Sequence, residues 1–288
     1  MKLDKYTYDG SEKIRLADVK CGAPKEMKEK RDEITAKTAE NVKELSAYQE
    51  KLYADGREGL IIVFQARDAA GKDSAVKHIM SGINPAGVDV YSFKTPSKEE
   101  LAHDFLWRFN KALPERGKIA IFNRSYYEDV LVVKVRDLQK TYRVPARTIG
   151  KDYFDKRYVH ITNYEDELYE NGYEIVKIFL NVSKEKEKER FLERIETPEK
   201  NWKFSSGDIA ERALWDDYTD AYEKMINHTS TEKCPWYVVP ADQKWFTHYV
   251  ISEILLARMK KIDPQFPELP DDEKAKLQEY KELLLNEK

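Results

Sequence analysis

The chain has 288 residues, of which 41% are hydrophobic and 36% charged, and its formal net charge is −3. This composition excludes an intrinsically disordered chain and is typical of a globular protein with much solvated helix. Since the net charge is small, any site for a polyanion has to be a local cluster of basic residues. The two cysteines, Cys21 and Cys234, match neither a disulfide framework nor a metal site, which favours a reducing compartment.

The chain begins with a polar, charged stretch, and no apolar window is long enough to serve as a signal peptide or to span a bilayer. We therefore expect a soluble cytoplasmic protein without membrane contact. Residues 1–25 are expected to be irregular. A helix is predicted from about residue 25 to 54, because Leu45, Tyr48 and Leu52 recur at helical spacing.

Five short apolar runs rich in Val, Ile, Tyr and Phe follow, separated by helical stretches: Leu60–Phe64, Val88–Phe93, Ile119–Phe122, Ile175–Val182 and Tyr237–Val239. Short β-branched runs between helices predict an α/β fold, in which a buried parallel sheet is covered on both faces. We divide the chain into an N-terminal extension with a long helix (1–56), a core (57–262) with a lid at about 183–215, and a C-terminal tail helix (263–288).

The first of these strands runs into a segment that has the pattern of a P-loop: Gln65-Ala66-Arg67-Asp68-Ala69-Ala70-Gly71-Lys72-Asp73-Ser74. In a P-loop, backbone N–H groups and the N-terminus of the next helix surround a phosphate, and the lysine reaches it. We predict that the loop binds phosphate through Arg67, Ala69, Ala70, Gly71, Lys72, Asp73 and Ser74. The alternative is a chance Gly-Lys pair at a strand–helix turn.

The loop departs from the common P-loop pattern at two positions. Ala66 stands at the first glycine position, and Asp73 stands where Ser or Thr normally binds magnesium. Asp68 lies inside the loop, and a carboxylate facing phosphates is a suitable magnesium ligand. We predict that Asp68 is the metal residue, with a turn or helix cap as the alternative.

The strand Ile119–Phe122 leads into a second polar loop that begins Asn123-Arg124. P-loop enzymes usually carry a metal-orienting aspartate at this strand end. Asn123 can contact a phosphate or the hydration shell of a metal, but it cannot neutralise charge. Arg124 is expected to point into the crevice at the carboxyl ends of the strands. The nearest carboxylates are Glu128 and Asp129, for which a role in the first turn of a helix is the alternative.

Two arginines predict a lid. Arg190 and Arg194 are four residues apart and share one face of a predicted helix, and the polar segment Thr197–Lys203 follows. A mobile lid would bring guanidinium groups to a transferring phosphoryl group and exclude water. Periodicity alone favours an ordinary solvated helix.

The segment Lys134–Arg157 is strongly basic, with eight basic and three acidic residues. It predicts either a groove for a long polyanion or a plain solvated face. Few aromatic residues lie among these charges, so we do not expect nucleic acid as a partner. The five histidines are scattered without metal-ligand spacing. For a phosphoryl transfer, we therefore expect direct in-line attack of the acceptor on the donor rather than a phosphohistidine intermediate.

Several motifs resemble the polyphosphate kinase 2 family: the segment Gly59–Asp73, the run Phe122–Asp129, the pair Arg190 and Arg194, and Trp202-Lys203. The likeness extends over roughly residues 45–259. It is greatest to the class III branch, which phosphorylates both AMP and ADP from polyphosphate. The resemblance implies a thymidylate-kinase-like, three-layer α/β/α P-loop kinase fold with a parallel sheet and a helical lid. It also implies dependence on Mg²⁺, with Mn²⁺ as an alternative ion.

Carried over by position, the resemblance implies catalytic roles for Asp68, Lys72, Arg124, Arg190 and Arg194. Lys203 joins the phosphate-binding residues, and the predicted nucleotide-binding residues are Lys94, Thr95, Arg108, Asn123 and Glu128. Asn123 departs from the branches that have aspartate there, so direct metal ligation is not implied. Glu128 stands where the ADP-only branches have asparagine, which favours AMP as an acceptor.

The predicted function is that of a polyphosphate-dependent nucleotide kinase. It would transfer a phosphoryl group reversibly and in line from inorganic polyphosphate to AMP, ADP or both, with GMP and GDP as further candidates. A homo-oligomer, dimer or tetramer, is expected. The alternatives are an ATP-dependent nucleoside monophosphate kinase on the same fold and a non-catalytic protein that binds polyanions or nucleotides.

Overall fold

The computed structural model describes residues 2–287, which form one six-stranded sheet with helices on both faces. The strands are β1 (Thr7–Tyr8), β2 (Gly59–Ala66), β3 (Val88–Ser92), β4 (Ile119–Asn123), β5 (Tyr173–Asn181) and β6 (Trp236–Pro240). Their order is β1-β6-β5-β2-β4-β3. Strand β1 is antiparallel to β6, and the other neighbours are parallel. The predicted α/β class with a parallel sheet is confirmed.

Twelve α-helices lie in the described part of the chain. The first six are α1 (Lys25–Glu29), α2 (Arg31–Asp55), α3 (Lys72–Ile79), α4 (Lys98–Leu101), α5 (Trp107–Asn110) and α6 (Val132–Val135). The others are α7 (Tyr153–Glu170), α8 (Lys184–Glu196), α9 (Ser206–Ala213), α10 (Trp215–Thr229), α11 (Lys244–Ile262) and α12 (Asp271–Leu285). Among them, none combines the length and the apolar character that crossing a bilayer requires.

Strand β2 divides its side chains between two cores, because successive residues of a strand point to opposite faces. Leu60, Ile62 and Phe64 pack in a core with side chains of α2, α3 and α11. Ile61 and Val63 pack in a second core with side chains of α7 and α10. The molecule therefore has the three layers that were predicted, with the sheet in the middle.

The N-terminal part contributes to this architecture in a way that the sequence did not predict. Strand β1 pairs with β6 and covers its outer edge, although residues 1–25 were expected to be irregular. A two-residue strand is too short to show an alternating pattern, which is why it was missed. Beyond β1, the backbone N–H of Ile14 donates to Asn227 Oδ1 (2.8 Å), and that of Ala23 donates to Gln243 Oε1 (2.7 Å).

The predicted long helix is present but is interrupted near Lys30, so that α1 and α2 are separate helices. Helix α2 packs along α11 and ends at Gly56, whose φ of 65° is favourable for glycine at a helix C-terminus. At the other end of the chain, helix α12 is present within the predicted tail. The division of the chain into extension, core and tail stays a prediction.

Strand order determines where a site can form. Strands β2 and β4 are neighbours, with Phe64 of β2 opposite Asn123 of β4. The loops that follow these two strands therefore leave the sheet side by side at its carboxyl edge. In open α/β sheets, this edge is where ligands bind.

Candidate active site

The loop after β2 has the backbone conformation of a tight phosphate-binding turn. Gly71 immediately precedes α3 and has a φ of 107°, a value that residues with a side chain rarely adopt. Ala69 also lies in the left-handed region, with a φ of 55°. These two residues bend the chain so that it enters α3 directly from the loop. The N-terminus of α3 then faces the cleft above the carboxyl edge of the sheet.

Lys72, the first residue of α3, lies across this loop. Its Nζ donates hydrogen bonds to the carbonyl oxygens of Ala66 (3.0 Å) and Arg67 (3.4 Å). Burial and, to a smaller extent, the nearby charge of Arg124 lower the pKa of Lys72 to about 8, although the carboxylates of Asp68, Glu128 and Asp73 oppose this shift. An anion in the cleft would supply the charged partner that this ammonium lacks among its hydrogen-bond partners.

Arg124 joins the two loops. Its Nη2 donates to Asp68 Oδ1 at 2.8 Å, and its Nη1 lies 3.3 Å from Glu128 Oε2. The charge of Glu128, followed by that of Asp68, raises the pKa of Arg124 against the effect of burial. Asn123 makes a second link between the loops, because its amide donates to Asp73 Oδ1 at 2.8 Å.

The two predicted lid arginines have different surroundings. Arg190, 9% exposed, donates to the carbonyl oxygens of Ala69 (2.9 Å) and Ala70 (2.8 Å) in the P-loop, and to those of Ala241 (2.7 Å) and Asp242 (3.2 Å) after β6. Arg194 is more open to solvent. Its Nη1 lies 3.6 Å from Asp208 Oδ2 and donates to the Lys203 carbonyl at 3.3 Å.

A cleft of about 410 Å³ lies between the P-loop, the second loop and the lid. Among its lining residues within 2–287, eight are basic and three acidic. The basic ones are Lys72, Lys94, Arg124, Arg190, Arg194, Lys200, Lys203 and Lys244, and the acidic ones are Asp68, Asp73 and Glu193. All five residues predicted to be catalytic are in this lining. The excess of positive charge favours binding of an anion in this cleft, in a chain whose total charge is negative.

Of the predicted binding residues, Arg67, Thr95, Arg108 and Glu128 lie outside the lining of this cleft. Arg67 is directed to the other side of the loop, where its guanidinium lies 3.8 Å from the ring centroid of Trp215 and donates to Thr219 Oγ1 at 2.6 Å. Those contacts occupy the guanidinium, so the geometry gives no support for a phosphate-binding role of Arg67.

Arg108 and Glu128 lie behind residues of the lining. Arg108 Nη1 donates to the carbonyl oxygen of Lys94 at 2.9 Å, and Glu128 contacts Arg124. They therefore adjoin the lining without being part of it, and their role in nucleotide binding stays a prediction. Thr95 is exposed beside Lys94.

The basic segment does not form part of the cleft. Arg136 pairs with Glu211 (2.8 Å), and Arg157 pairs with the buried Asp129 (2.7 Å). Burial raises the pKa of Asp129 to about 6, although Arg157 opposes this shift. For Arg136 and Arg157, the structure therefore favours a plain solvated face over a groove for a long polyanion.

Other lining residues were not singled out from the sequence: Ser92, Phe93, Glu193, Lys200 and Lys244. Ser92 and Phe93 are at the carboxyl end of β3, and Lys244 begins the helix after β6. Applying the rule that ligands bind at strand carboxyl ends to every strand would have found these three residues. Lys200 lies in the lid, and its position depends on the folding of the segment Pro198–Lys203.

The oxygen ligands of the cleft fit a divalent cation. Asp68 and Asp73 both line it, and carboxylates, phosphate oxygens and water are the ligands that Mg²⁺ prefers. Within residues 2–287 there is no group of three or more His, Cys, Asp or Glu side chains that could hold a metal by themselves. A cation here would therefore be shared between the protein carboxylates and a bound phosphate.

Comparison with known proteins gives matches over most of the chain. A family model described as Polyphosphate kinase 2 (PPK2) matches residues 28–267. An ADP-polyphosphate phosphotransferase of Rhodopseudomonas palustris is 48% identical over 246 residues, which cover 85% of this chain and 85% of that protein. An AMP/ADP-polyphosphate phosphotransferase of Meiothermus ruber is 44% identical over 224 residues, which cover 78% and 80%.

A solved structure is also similar along nearly the whole chain. The crystal structure of Polyphosphate Kinase 2 from Arthrobacter aurescens TC1 resembles this fold with a TM-score of 0.86 and 35% sequence identity. The match covers 97% of this chain and 95% of that one.

Proposed function

The chain belongs to the polyphosphate kinase 2 family, as its motifs predicted, and on that premise we propose that it transfers the terminal phosphoryl group of inorganic polyphosphate to ADP and AMP. The observation that carries this proposal is the convergence of Lys72, Arg124 and the lid cations on one cleft beside a P-loop. A long polyphosphate chain carries more negative charge in total than a single nucleoside triphosphate, and it can therefore contact more of the cations that line the cleft.

The reaction needs no covalent intermediate on the protein. An ionised oxygen of the acceptor's terminal phosphate attacks the terminal phosphorus of the donor, and a new P–O bond forms. The bond to the penultimate phosphate breaks, and its electron pair stays on the shortened polyphosphate. Because the attacking oxygen is already ionised, a general base is not required, and catalysis depends on positioning and charge stabilisation.

The residues that line the cleft have different roles in this reaction. Lys72 and Arg124 hold the oxygens of the transferring group, where negative charge is concentrated. Arg194, Lys200, Lys203 and Lys244 hold the remaining donor chain, and closure of the lid excludes water that would hydrolyse it. Asp68 and Asp73 would hold Mg²⁺, which when bound neutralises phosphate charge. Removal of one such contact typically costs about 3 kcal/mol in barrier, roughly a hundredfold in rate.

Support for the two acceptors differs. Both relatives are named for ADP, whereas AMP appears in the name of the second only. In this chain, Glu128 favours AMP by its resemblance to the class III branch, and its contact with Arg124 gives it a route to affect the acceptor site. The choice of Mg²⁺ over Mn²⁺, the homo-oligomer and the cytoplasmic location stay predictions.

A donor–acceptor panel tests the proposed function. The protein is incubated with polyphosphate or ATP as donor and AMP, ADP, GMP or GDP as acceptor, with Mg²⁺ and, separately, with Mn²⁺. We expect polyphosphate to yield ATP from ADP, and ADP and ATP from AMP, with the rate reduced about a hundredfold or more in Lys72→Met, which lacks the ammonium group. Product from ATP and AMP alone would indicate the nucleoside monophosphate kinase, and binding without turnover would indicate the non-catalytic alternative.

A further inference from the structure

A buried charged cluster lies under the second loop of the site, on the face of the sheet covered by α7 and α10. Lys177 of β5 is 0% exposed, and its Nζ donates to Glu165 Oε2 of α7 (2.6 Å), to Tyr127 Oη (3.1 Å) and to the Thr229 carbonyl oxygen (2.6 Å). The hydroxyl groups of Tyr126 (2.8 Å) and Tyr127 (2.7 Å) both donate to Glu165 Oε1. The cluster thus joins the turn 126–130 to three other elements.

Stability is a poor explanation for this cluster. Removing two charges from water costs about as much free energy as their attraction returns, so an apolar pair of similar volume is often equally stable. What a saturated polar cluster does provide is a single position for the groups that it joins. Here those groups are the two tyrosines that directly follow Arg124 and Ser125.

Arg124 requires such support. Its φ of 64° lies in the left-handed region, which is unfavourable for a residue with a side chain and persists only where the surroundings fix it. On its N-terminal side it continues from β4, and its own N–H donates to the Phe64 carbonyl oxygen at 3.1 Å. On its C-terminal side, the chain is fixed by Tyr126 and Tyr127.

A second buried link acts on the same turn. Gln65, 0% exposed at the end of β2, lies against Ser125, whose Oγ is 3.0 Å from the Gln65 amide. With the amide turned so that both of its polar atoms are satisfied, Gln65 donates to Glu128 Oε1 (2.9 Å) and accepts from the Ser125 backbone N–H (3.0 Å). Glu128 in turn contacts the Arg124 guanidinium. The Arg124 guanidinium is therefore oriented by Glu128 of the turn 126–130, and the buried cluster holds that turn in place.

We propose that Lys177 and Glu165 are positioning residues for phosphoryl transfer: by holding the hydroxyl groups of Tyr126 and Tyr127, they fix the turn that places Arg124 in the cleft. This inference rests on the proposed function, in which Arg124 contacts the transferring group. A displacement of about 1 Å in such a contact can cost on the order of a hundredfold in rate.

The test compares Lys177→Met with a matched control, Arg258→Met. Arg258 of α11 forms a largely buried ion pair with Glu174 of β5 (2.7 Å), on the other face of the sheet and away from the cleft, where Lys261 also contacts Glu174 (3.2 Å). Each substitution leaves a buried carboxylate without its principal partner, so both lower the unfolding temperature. Measured below both transitions, kcat with polyphosphate and ADP is expected to fall about 10- to 100-fold in Lys177→Met, with little change in KM, and to stay near the wild-type value in Arg258→Met.

A double-mutant cycle with Arg124→Ala separates this inference from the proposed function. If Lys177 acts through Arg124, Lys177→Met lowers kcat no further in the Arg124→Ala background. Equal loss of kcat in both backgrounds, or a loss in Arg258→Met as large as in Lys177→Met, would overturn the positioning role. Unchanged kcat in Arg124→Ala alone would instead contradict the assignment of the active site.

A milder variant guards against failure of Lys177→Met to fold. Tyr127→Phe removes the hydroxyl that accepts from Lys177 and donates to Glu165, and it keeps the ring packed against Trp236. We expect the same pattern with a smaller loss of kcat, again absent in the Arg124→Ala background. Additive losses in this second cycle would reject the proposal as well.

Discussion

At the scale of single residues, Lys72 links the structure to a measurable pH dependence. Burial and the nearby Arg124 lower its pKa to about 8 in the free protein. A polyanion in the cleft favours the charged form and so raises the pKa again. Below pH 8 the ammonium is charged before and after binding. Above pH 8 the free protein loses this proton and has to recover it when polyphosphate binds.

We therefore expect the affinity for polyphosphate to fall as the pH rises above about 8, with uptake of a proton on binding. Titration calorimetry at several pH values, in buffers of different ionisation enthalpy, measures both quantities. Lys72→Arg is the matched control, since arginine stays charged over this range and the donor's own titration is unchanged. Equal affinity of the wild-type protein at pH 7 and pH 9.5 would contradict the role of Lys72.

The sequence predicted the residues of the site unequally well. Asp68, Lys72 and Arg124 were found because each belongs to a short motif directly after a strand, and a strand end has a known position in an α/β fold. The direction of the Arg67 side chain was not predictable. It depends on Trp215, which lies far along the chain, and no local pattern reports that contact.

At the scale of elements, the lid helix α8 has a fixed part and a more exposed part. Arg190 connects α8 to four backbone carbonyl oxygens of the P-loop and of the loop after β6. Arg194, one turn further along, contacts other parts of the lid. The two arginines had been predicted to act alike, and whether each contacts phosphate stays a prediction.

The difference between them can be measured by substitution with lysine, which keeps the charge. A lysine at 190 cannot supply the same donors to carbonyl oxygens on two loops, so we expect Arg190→Lys to lose about 1–3 kcal/mol of unfolding free energy, together with activity. Arg194→Lys should keep wild-type stability and lose activity only. Thermal unfolding measures the stability, and kcat measures the activity. A wild-type unfolding temperature for Arg190→Lys would contradict a stabilising role of the hydrogen bonds from Arg190 to the four carbonyl oxygens.

Elements were predictable where their patterns were long. The five parallel strands were located to within two residues or so, because each is a run rich in β-branched and aromatic residues, and all but the edge strand β3 are buried. The break between α1 and α2, the two-residue strand β1 and the short helical turn at Tyr126–Val130 have no periodicity of their own. Their conformations depend on contacts with distant segments.

At the scale of the whole molecule, the N-terminal and C-terminal segments differ in how closely they contact the core. The N-terminal residues pair with β6 and donate hydrogen bonds to α10 and to the loop before α11. Helix α12, in contrast, buries none of its side chains within the described structure. The N-terminal part is therefore integral to the fold, whereas α12 is an appendage of the single chain.

Two truncations compare these ends. Removal of residues 1–24 exposes the edge of β6, so we expect a markedly lower unfolding temperature and a tendency to aggregate. Removal of residues 267–288 takes away a segment of similar length, which contains α12, and should leave the unfolding temperature within a few degrees of the full chain. Thermal unfolding and light scattering measure both outcomes. Equal stability of the two truncated proteins would show that β1 contributes nothing to the sheet.

The hydrogen bonds of Arg190 to the P-loop and to the loop after β6 have a consequence for the catalytic cycle. Since Arg190 attaches the first turns of α8 to the P-loop, the predicted lid could hinge only beyond Arg190, towards Arg194 and the segment Pro198–Lys203. In that case the P-loop side of the cleft would stay fixed while the segment Pro198–Lys203 moved. Release of product would then need no change in the P-loop, and the rate of lid opening would set an upper limit on turnover.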